Sequence, residues 1–282
     1  MEVILFIALS LIWHCLFLYG SSNYNQYRVL SINGRISSMA NKTGKIKKEV
    51  LNSSKMLQQI KNGSKRGISV FDLDLIPYDE SFQLQLELFE FIRKNDLPGV
   101  LLLLEHPPVI TIGSNRSTEN LLVGEDDLSK KGIDIVRSNR GGDITLHAPG
   151  QLICYPVFNL KYFKKDLTLF VHNLEEVIIE TLDIYDISGN RIKKHRGVFA
   201  GTKKIASIGL KVRKWITIHG LSINISIELS YFENIVACGL KDFPQTSISE
   251  ILGKDIPINN VKELIQKPFE NIFNMPFNKI QG

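Results

Sequence analysis

Cysteine is scarce in this chain: three in 282 residues, Cys15, Cys154 and Cys238, with no C-x-x-C pair and no His/Cys grouping at zinc spacing. A disulfide framework and a structural metal site are thereby excluded, because both need clustered thiols or imidazoles. Long apolar runs are missing too. The longest, Val3 to Leu18, falls short of the ~20 residues that a membrane-spanning helix needs. Neither the P-loop nor the dinucleotide-binding glycine spacing occurs. Acid is nearly absent from residues 21–66, where ten Lys and Arg face the single acid Glu49, whereas residues 67–282 hold 24 bases and 27 acids. The formal charge of +5 therefore arises in the leading quarter, and a nucleic-acid surface is not indicated for the rest.

Val3–Leu18 ends at Gly20-Ser21-Ser22, small residues suited to signal-peptidase cleavage, so residues 1–20 read as a signal peptide rather than an anchor, although Glu2 stands where a base is usual. Residues 21–66 are rich in Asn, Ser, Lys and Arg and lack apolar periodicity, which predicts a disordered basic transit or linker segment. A signal peptide followed by such a segment resembles the bipartite leaders that route proteins into a secondary plastid (apicoplast). The mitochondrion is the alternative destination. Residues 67–282 remain, enough for one catalytic domain with one sizeable core.

That part reads as α+β, a mixed sheet with packed helices, because strands and helices interleave without strict alternation. Residues 81–94 are expected to be helical, with Asp79 or Ser81 as the cap, although Phe82, Leu84, Leu86 and Leu88 alternate as in a strand. Residues 99–105 form a continuous apolar run suited to a strand covered on both faces. Strands are also predicted over 133–136 and 151–160. A helix over 166–185 follows from the stripe Leu167, Phe170, Val171, Leu174, Val177, Ile178, Leu182 and Tyr185 behind an Asp166 cap, with His172, Glu175, Glu176 and Glu180 opposite. Successive strands are expected over 197–228 and a last helix over 259–273.

Three segments carry the chemistry. Arg140-Gly141-Gly142-Asp143-Ile144-Thr145-Leu146-His147-Ala148-Pro149-Gly150-Gln151 packs three glycines, an Arg and a His between two strands, a pattern that suits a ligand loop whose amides form a nest for an oxygen. Gly201-Thr202-Lys203-Lys204-Ile205-Ala206-Ser207-Ile208-Gly209 places Lys204 at the entrance to an apolar strand. Taken alone, a lysine there is most often solvated surface. Ala237-Cys238-Gly239 sets a thiol in a loop, accessible enough to be a nucleophile, whereas Cys154 lies in an apolar strand and reads as core. A free thiol, with a pKa near ~8.5, needs a cationic neighbour to be held as the thiolate.

Arg140-Gly141-Gly142-x-x-Thr145-x-His147-x-Pro149-Gly150-Gln151-x-x-x-Tyr155-Pro156, Lys204-Ile205-Ala206-Ser207-Ile208-Gly209, His219-Gly220-Leu221-Ser222-Ile223-Asn224 and Ala237-Cys238-Gly239, in that order, resemble the motifs of the lipoyl(octanoyl) transferases over roughly residues 70–255. Asp143 and Leu146 depart from the common pattern, as does Ala237, where the family often has Pro. The resemblance implies a biotin/lipoate protein ligase-like catalytic domain and no cofactor. It implies a donor, octanoyl-acyl carrier protein, and an acceptor, the lipoyl domains of 2-oxoacid dehydrogenase acyltransferase subunits. Cys238 would be the acyl-thioester nucleophile and Lys204 the residue that activates it. Arg140, Gly141, Gly142, Asp143, Ile144, Thr145, Leu146 and His147, with Ser207, Ile208, Gly209, Gly220, Leu221 and Ser222, would line the acyl and carbonyl site. Lys193, Lys194, Arg196, Lys203, Lys211, Arg213 and Lys214 would supply a basic rim for the acidic carrier. The rival readings are an ATP-dependent lipoate or biotin ligase, a Cys–His hydrolase pairing Cys238 with His147 or His219, and an inactive carrier-binding scaffold.

Overall fold

The structure, a computed structural model, describes residues 57, 58, 60, 67–114, 118–240 and 242–279. Nearly all of the predicted leader, residues 1–66, lies outside the described residues. Eleven strands are described: β1 (Ile68–Leu75), β2 (Gly99–Glu105), β3 (Val109–Ile112), β4 (Asp134–Arg137), β5 (Thr145–His147), β6 (Gln151–Phe158), β7 (Gly189–Ile192), β8 (His195–Ala200), β9 (Lys203–Arg213), β10 (Ile216–Asn224) and β11 (Phe277–Lys279). Eight form one sheet in the order β11-β1-β2-β6-β10-β9-β8-β7, and three form a second in the order β4-β3-β5. β1 pairs in parallel with β11 and β2, while β2, β6, β10, β9, β8 and β7 pair successively antiparallel. The fold is α+β with a mixed sheet, as expected.

The apolar run of β2 is explained by cover on both faces. Leu101 and Leu103 enter the core under helices α3 (Leu167–Asp183), α5 (Ile258–Leu264) and α6 (Gln266–Phe273). Val100, Leu102 and Leu104 face the opposite way, against helix α1 (Tyr78–Asn95). β6 divides in the same manner, with Leu152, Cys154 and Phe158 on the first side and Ile153, Tyr155 and Val157 on the second. Cys154 is fully buried core.

α1 begins three residues before the expected start. Pro77, with φ −55° and ψ 145°, is the N-cap, and neither Asp79 nor Ser81 caps it. Asp79 sits in the first turn, while buried Ser81 donates its hydroxyl to the Tyr78 carbonyl. Leu84, Leu88, Phe89 and Ile92 give α1 its buried face, each contributing roughly 2 kcal/mol of burial. The strand-like alternation of 82–88 was incidental, because Phe82 and Leu86 flank that face half-buried. α3 has the expected cap, Asp166 accepting from the Leu169 amide at 3.0 Å. Its outer face differs: Glu175 is buried and accepts from Arg191 Nε at 3.0 Å.

The last predicted helix is two. Ile265 separates α5 from α6, and Pro268 occupies the third position of α6, where a missing N–H disrupts no helical bond. Two further short helices are α2 (Glu125–Lys130) and α4 (Ile248–Leu252). Among the described residues no helix is long and apolar enough to cross a membrane.

Candidate active site

The sulfur sits in an unusual backbone. Cys238 occupies a short 3-10 turn, Ala237–Gly239, with φ 56° and ψ 18°, a left-handed conformation that costs a non-glycine residue about 1 kcal/mol. Its amide donates to the Ile144 carbonyl at 2.8 Å, and the Gly239 amide donates to Val236 at 2.9 Å. Thus the turn is bolted to the glycine loop, and the side chain is left facing a cleft that is partly open to solvent.

Lys204 reaches the sulfur from β9. Its Nζ donates to Cys238 Sγ at 3.4 Å, and only 2% of the residue is exposed. The backbone of Lys204 is clamped as well: its amide donates to Pro244 at 2.8 Å and its carbonyl accepts from Thr246 at 2.9 Å. The segment that follows Cys238 therefore pairs with Lys204 through the backbone.

Of the residues singled out in the sequence, Arg140, Gly142, Asp143, Thr145 and His147 line the cleft from the glycine loop. Ser207, Ile208 and Gly209 line it from β9, and Gly220, Leu221 and Ser222 from β10. Three expected lining residues do not. Ile144 and Leu146 are fully buried in the core between the small sheet and the Cys238 turn, because residues 145–147 are the strand β5 rather than open loop. Gly141 instead ties the loop to β9, its amide donating to the Leu210 carbonyl at 2.9 Å.

The loop is fixed by two polar anchors. Arg140, almost fully buried, donates from Nε and Nη2 to Thr111 Oγ1 at 3.0 and 2.8 Å and from Nη2 to the Thr111 carbonyl at 2.6 Å. No carboxylate among the described residues pairs with it, and burial lowers its pKa. Asp143 accepts from Asn120 Nδ2 at 2.9 Å and from the Ile144 amide at 2.8 Å.

The far wall adds residues that the sequence left without a lining role, Tyr155 and His219 having appeared only within the ordered motifs and Tyr78 not at all. Tyr78, Tyr155 and His219 also line the cleft. His106 donates from Nδ1 to the Ile76 carbonyl at 2.6 Å, so its Nε2 accepts from the Tyr155 hydroxyl at 2.9 Å. His147 bonds Gln151 at 2.7 Å and His219 bonds Asn139 at 2.7 Å. Burial lowers the pKa of His106 to about 4 and those of His147 and His219 to about 3, so all three rings are neutral near pH 7. The hydrogen-bond partner of the sulfur is Lys204 rather than an imidazole, which favours a Cys–Lys pair over the Cys–His arrangement of a hydrolase.

Comparison with known proteins gives the family. A family model described as the lipoyl protein ligase A/B catalytic domain matches residues 77–270. An octanoyltransferase of Thermoanaerobacter pseudethanolicus is 45% identical over 212 residues, covering 75% of this chain and 92% of that protein. One from Clostridium kluyveri is 42% identical over 199 residues, covering 71% and 85%. A lipoate-protein ligase A bound with ATP superposes with a TM-score of 0.60 at 15% identity, covering 76% of this chain and 88% of that one. A bi-partite lipoate protein ligase from Thermoplasma acidophilum gives 0.59 at 16%, covering 77% and 87%. At such identities the structural likeness speaks for the fold alone. The molecule is an enzyme, an acyltransferase built on the lipoate-ligase fold. The chain belongs to the lipoyl protein ligase A/B catalytic domain family, with the lipoyl(octanoyl) transferases as its curated relatives.

Proposed function

We propose that this chain takes an octanoyl group from the phosphopantetheine thioester of an acyl carrier protein onto Cys238 and passes it to one lysine of a lipoyl domain. The observation that carries the reading is the 3.4 Å contact between Lys204 Nζ and Cys238 Sγ at the wall of the cleft. At that distance the lysine can exchange a proton with the sulfur, and the thiolate is the form that attacks a thioester carbonyl. The Cys238 thiolate displaces the pantetheine thiol, which leaves with a proton handed over by Lys204. In the second step the acceptor amine attacks the acyl-Cys238 thioester, the amide forms, the sulfur leaves, and the amine proton returns to Lys204. The acyl group arrives activated, so ATP has no part in the scheme.

The amides of Cys238, Gly239 and Leu240 are committed to Ile144, Val236 and Ala237. The oxyanion of each tetrahedral intermediate is therefore assigned to the glycine loop across the cleft, where Gly142 has φ +89°, a well-placed donor being worth about 3 kcal/mol. Intact mass spectrometry after mixing with octanoyl-carrier protein is the test. An adduct of one octanoyl group on Cys238, released on adding a lipoyl domain, is expected. A chain that never gains that mass, or that acylates the acceptor only when ATP is present, overturns the reading.

The expected basic rim divides in two. Lys193 and Lys194 form the turn between β7 and β8, at the end of the sheet where β9 reaches Lys211, whereas Lys203 stands at the other end of the β8–β9 hairpin and pairs with Glu250 at 3.2 Å. The carrier is assigned to the first group, beside the His219 end of the cleft. The leader is assigned the plastid-routing role, tested by a reporter fused to residues 1–66; a reporter that stays in the cytosol or is secreted removes it.

A further inference from the structure

Lys204 poses a problem of aim. A buried lysine is ordinarily held by a carboxylate, yet among the described residues no carboxylate lies within ion-pair distance of its ammonium. Something else must set where a four-carbon stem places its charge. The stem lies against the backbone of Gly197, where an added Cβ would stand 3.1 Å from Lys204 Cε and 2.3 Å from the Ala206 carbonyl oxygen. Gly197 has φ +107°, and the register of β8 against β9 shifts just beyond it, between Val198 and Phe199. A side chain at this position would meet both a strained backbone and the stem. The shift brings Phe199 opposite Lys204, with the ammonium 5.6 Å from the ring centroid. Phe199 is itself fully buried and is braced by Phe243, with ring centroids 5.3 Å apart.

The distorted strand is held from behind. The Gly197 amide donates to Glu175 Oε1 at 3.2 Å, and the other oxygen of Glu175 accepts from Arg191 Nε at 3.0 Å. Arg191 also donates to Glu176 Oε2 at 2.6 Å. A carboxylate buried on a helix face that sequence periodicity assigned to solvent thus finds its partners in β7 and β8, the strands beside the one that carries Lys204.

Resting on the Lys204–Cys238 reading above, we infer that Gly197 and Phe199, fixed by Glu175, form a seat that positions the Lys204 ammonium against the Cys238 sulfur. Gly197 gives the stem its path, the Phe199 ring receives the charge on its face, and Glu175 prevents the strand from relaxing into regular pairing. Cation–ring attraction strengthens where water is excluded, so a ring suits a site in which a carboxylate would compete with the sulfur for the ammonium.

The test uses Phe199→Leu, Glu175→Ala and Glu175→Gln in the full chain. Its readouts are single-turnover acyl uptake, Michaelis constants for both partners, iodoacetamide alkylation of Cys238 across pH, and urea unfolding. Phe199→Leu is expected to lower kcat about tenfold with unchanged KM, and to slow alkylation near neutral pH by a similar factor. Glu175→Ala should act in the same direction, and Glu175→Gln, whose amide oxygen still accepts from Gly197, should recover most of the loss. If the variants only unfold more easily, while each folded molecule turns over and alkylates as the wild type does, the seat is overturned. Controls keep the two readings apart. Normal turnover in Cys238→Ala or Lys204→Met defeats the thioester mechanism itself, whereas inactive controls beside unaffected Phe199→Leu and Glu175→Ala defeat only the seat.

Discussion

The Cys238 amide and the Ile144 carbonyl share a 2.8 Å hydrogen bond that joins the Cys238 turn to the glycine loop. Ile144 has no side chain in the cleft; its fully buried side chain packs in the core behind the loop. The bond ties the Cys238 turn to the glycine loop, so neither can drift without the other.

The first expectation concerns the pair at the centre. Cys238→Ala should abolish acyl uptake while leaving the fold intact, because the small side chain keeps the left-handed turn and its amide bond. Lys204→Met, similar in length but uncharged, should lower kcat on the order of a hundredfold or more with little change in KM, since it removes a group acting on the reacting atoms rather than on binding. Single-turnover kinetics and urea denaturation of the same preparations separate chemistry from folding.

Arg140 should prove irreplaceable by lysine. Its fork makes three bonds to Thr111, and a fourth runs from Nη1 to the Gly141 carbonyl at 3.1 Å. A lysine offers a single point of donation and cannot span them. Arg140→Lys is expected to cost about 2–4 kcal/mol of stability, and Thr111→Val, which strands part of the guanidinium, about 1–3 kcal/mol. Urea midpoints measure both, and a change below half a kcal/mol in Arg140→Lys would show that the fork does not hold the loop.

The three neutral histidines make stability depend on pH in a defined direction. Their folded pKa values, about 4 for His106 and about 3 for His147 and His219, lie below the ordinary 6.5. The unfolded chain therefore binds protons first as pH falls. Stability is level above pH 6.5 and declines as pH drops toward 4, each buried ring contributing roughly 2 kcal/mol of loss by pH 5. Unfolding midpoints at pH 7.5 and pH 5 should show the decline, and His147→Gln should reduce it. Equal midpoints at the two pH values would contradict the burial of these rings.

Much of this could be read in the sequence, and the reasons are physical. The β2 run and the Asp166 helix were legible because burial on two faces and an amphipathic stripe leave local patterns. The cleft's ordered motifs were legible because glycines, a loop cysteine and a strand-end lysine depart from ordinary core composition. Tyr78 and His106 were not, since neither belongs to a local pattern, and they meet Tyr155 only when α1, the end of β2 and β6 come together. β5 was hidden inside the glycine loop because three residues carry no periodicity. Glu175 looked solvated because its partner Arg191 lies sixteen residues on, across the turn into β7.

The divided basic surface gives the last expectation. Lys193, Lys194, Arg196 and Lys211 are exposed, and Lys211 acts electrostatically on His219, which places its charge near one end of the cleft. Lys203 is also exposed, but Glu250 neutralises it at the far end of the hairpin. An acidic carrier steered by charge should therefore sense the first group and not the second. Reversing Lys194 and Lys211 together to Glu is expected to raise KM for octanoyl-carrier protein several-fold, with kcat retained and the effect shrinking as salt is added, because exposed charges are screened over about 10 Å at 0.1 M ionic strength. Lys203→Glu should leave KM nearly unchanged. Equal effects from the two ends, or an effect that ignores salt, would mean that the carrier does not dock through the β7–β8 turn, and its approach would have to be sought on another side of the cleft.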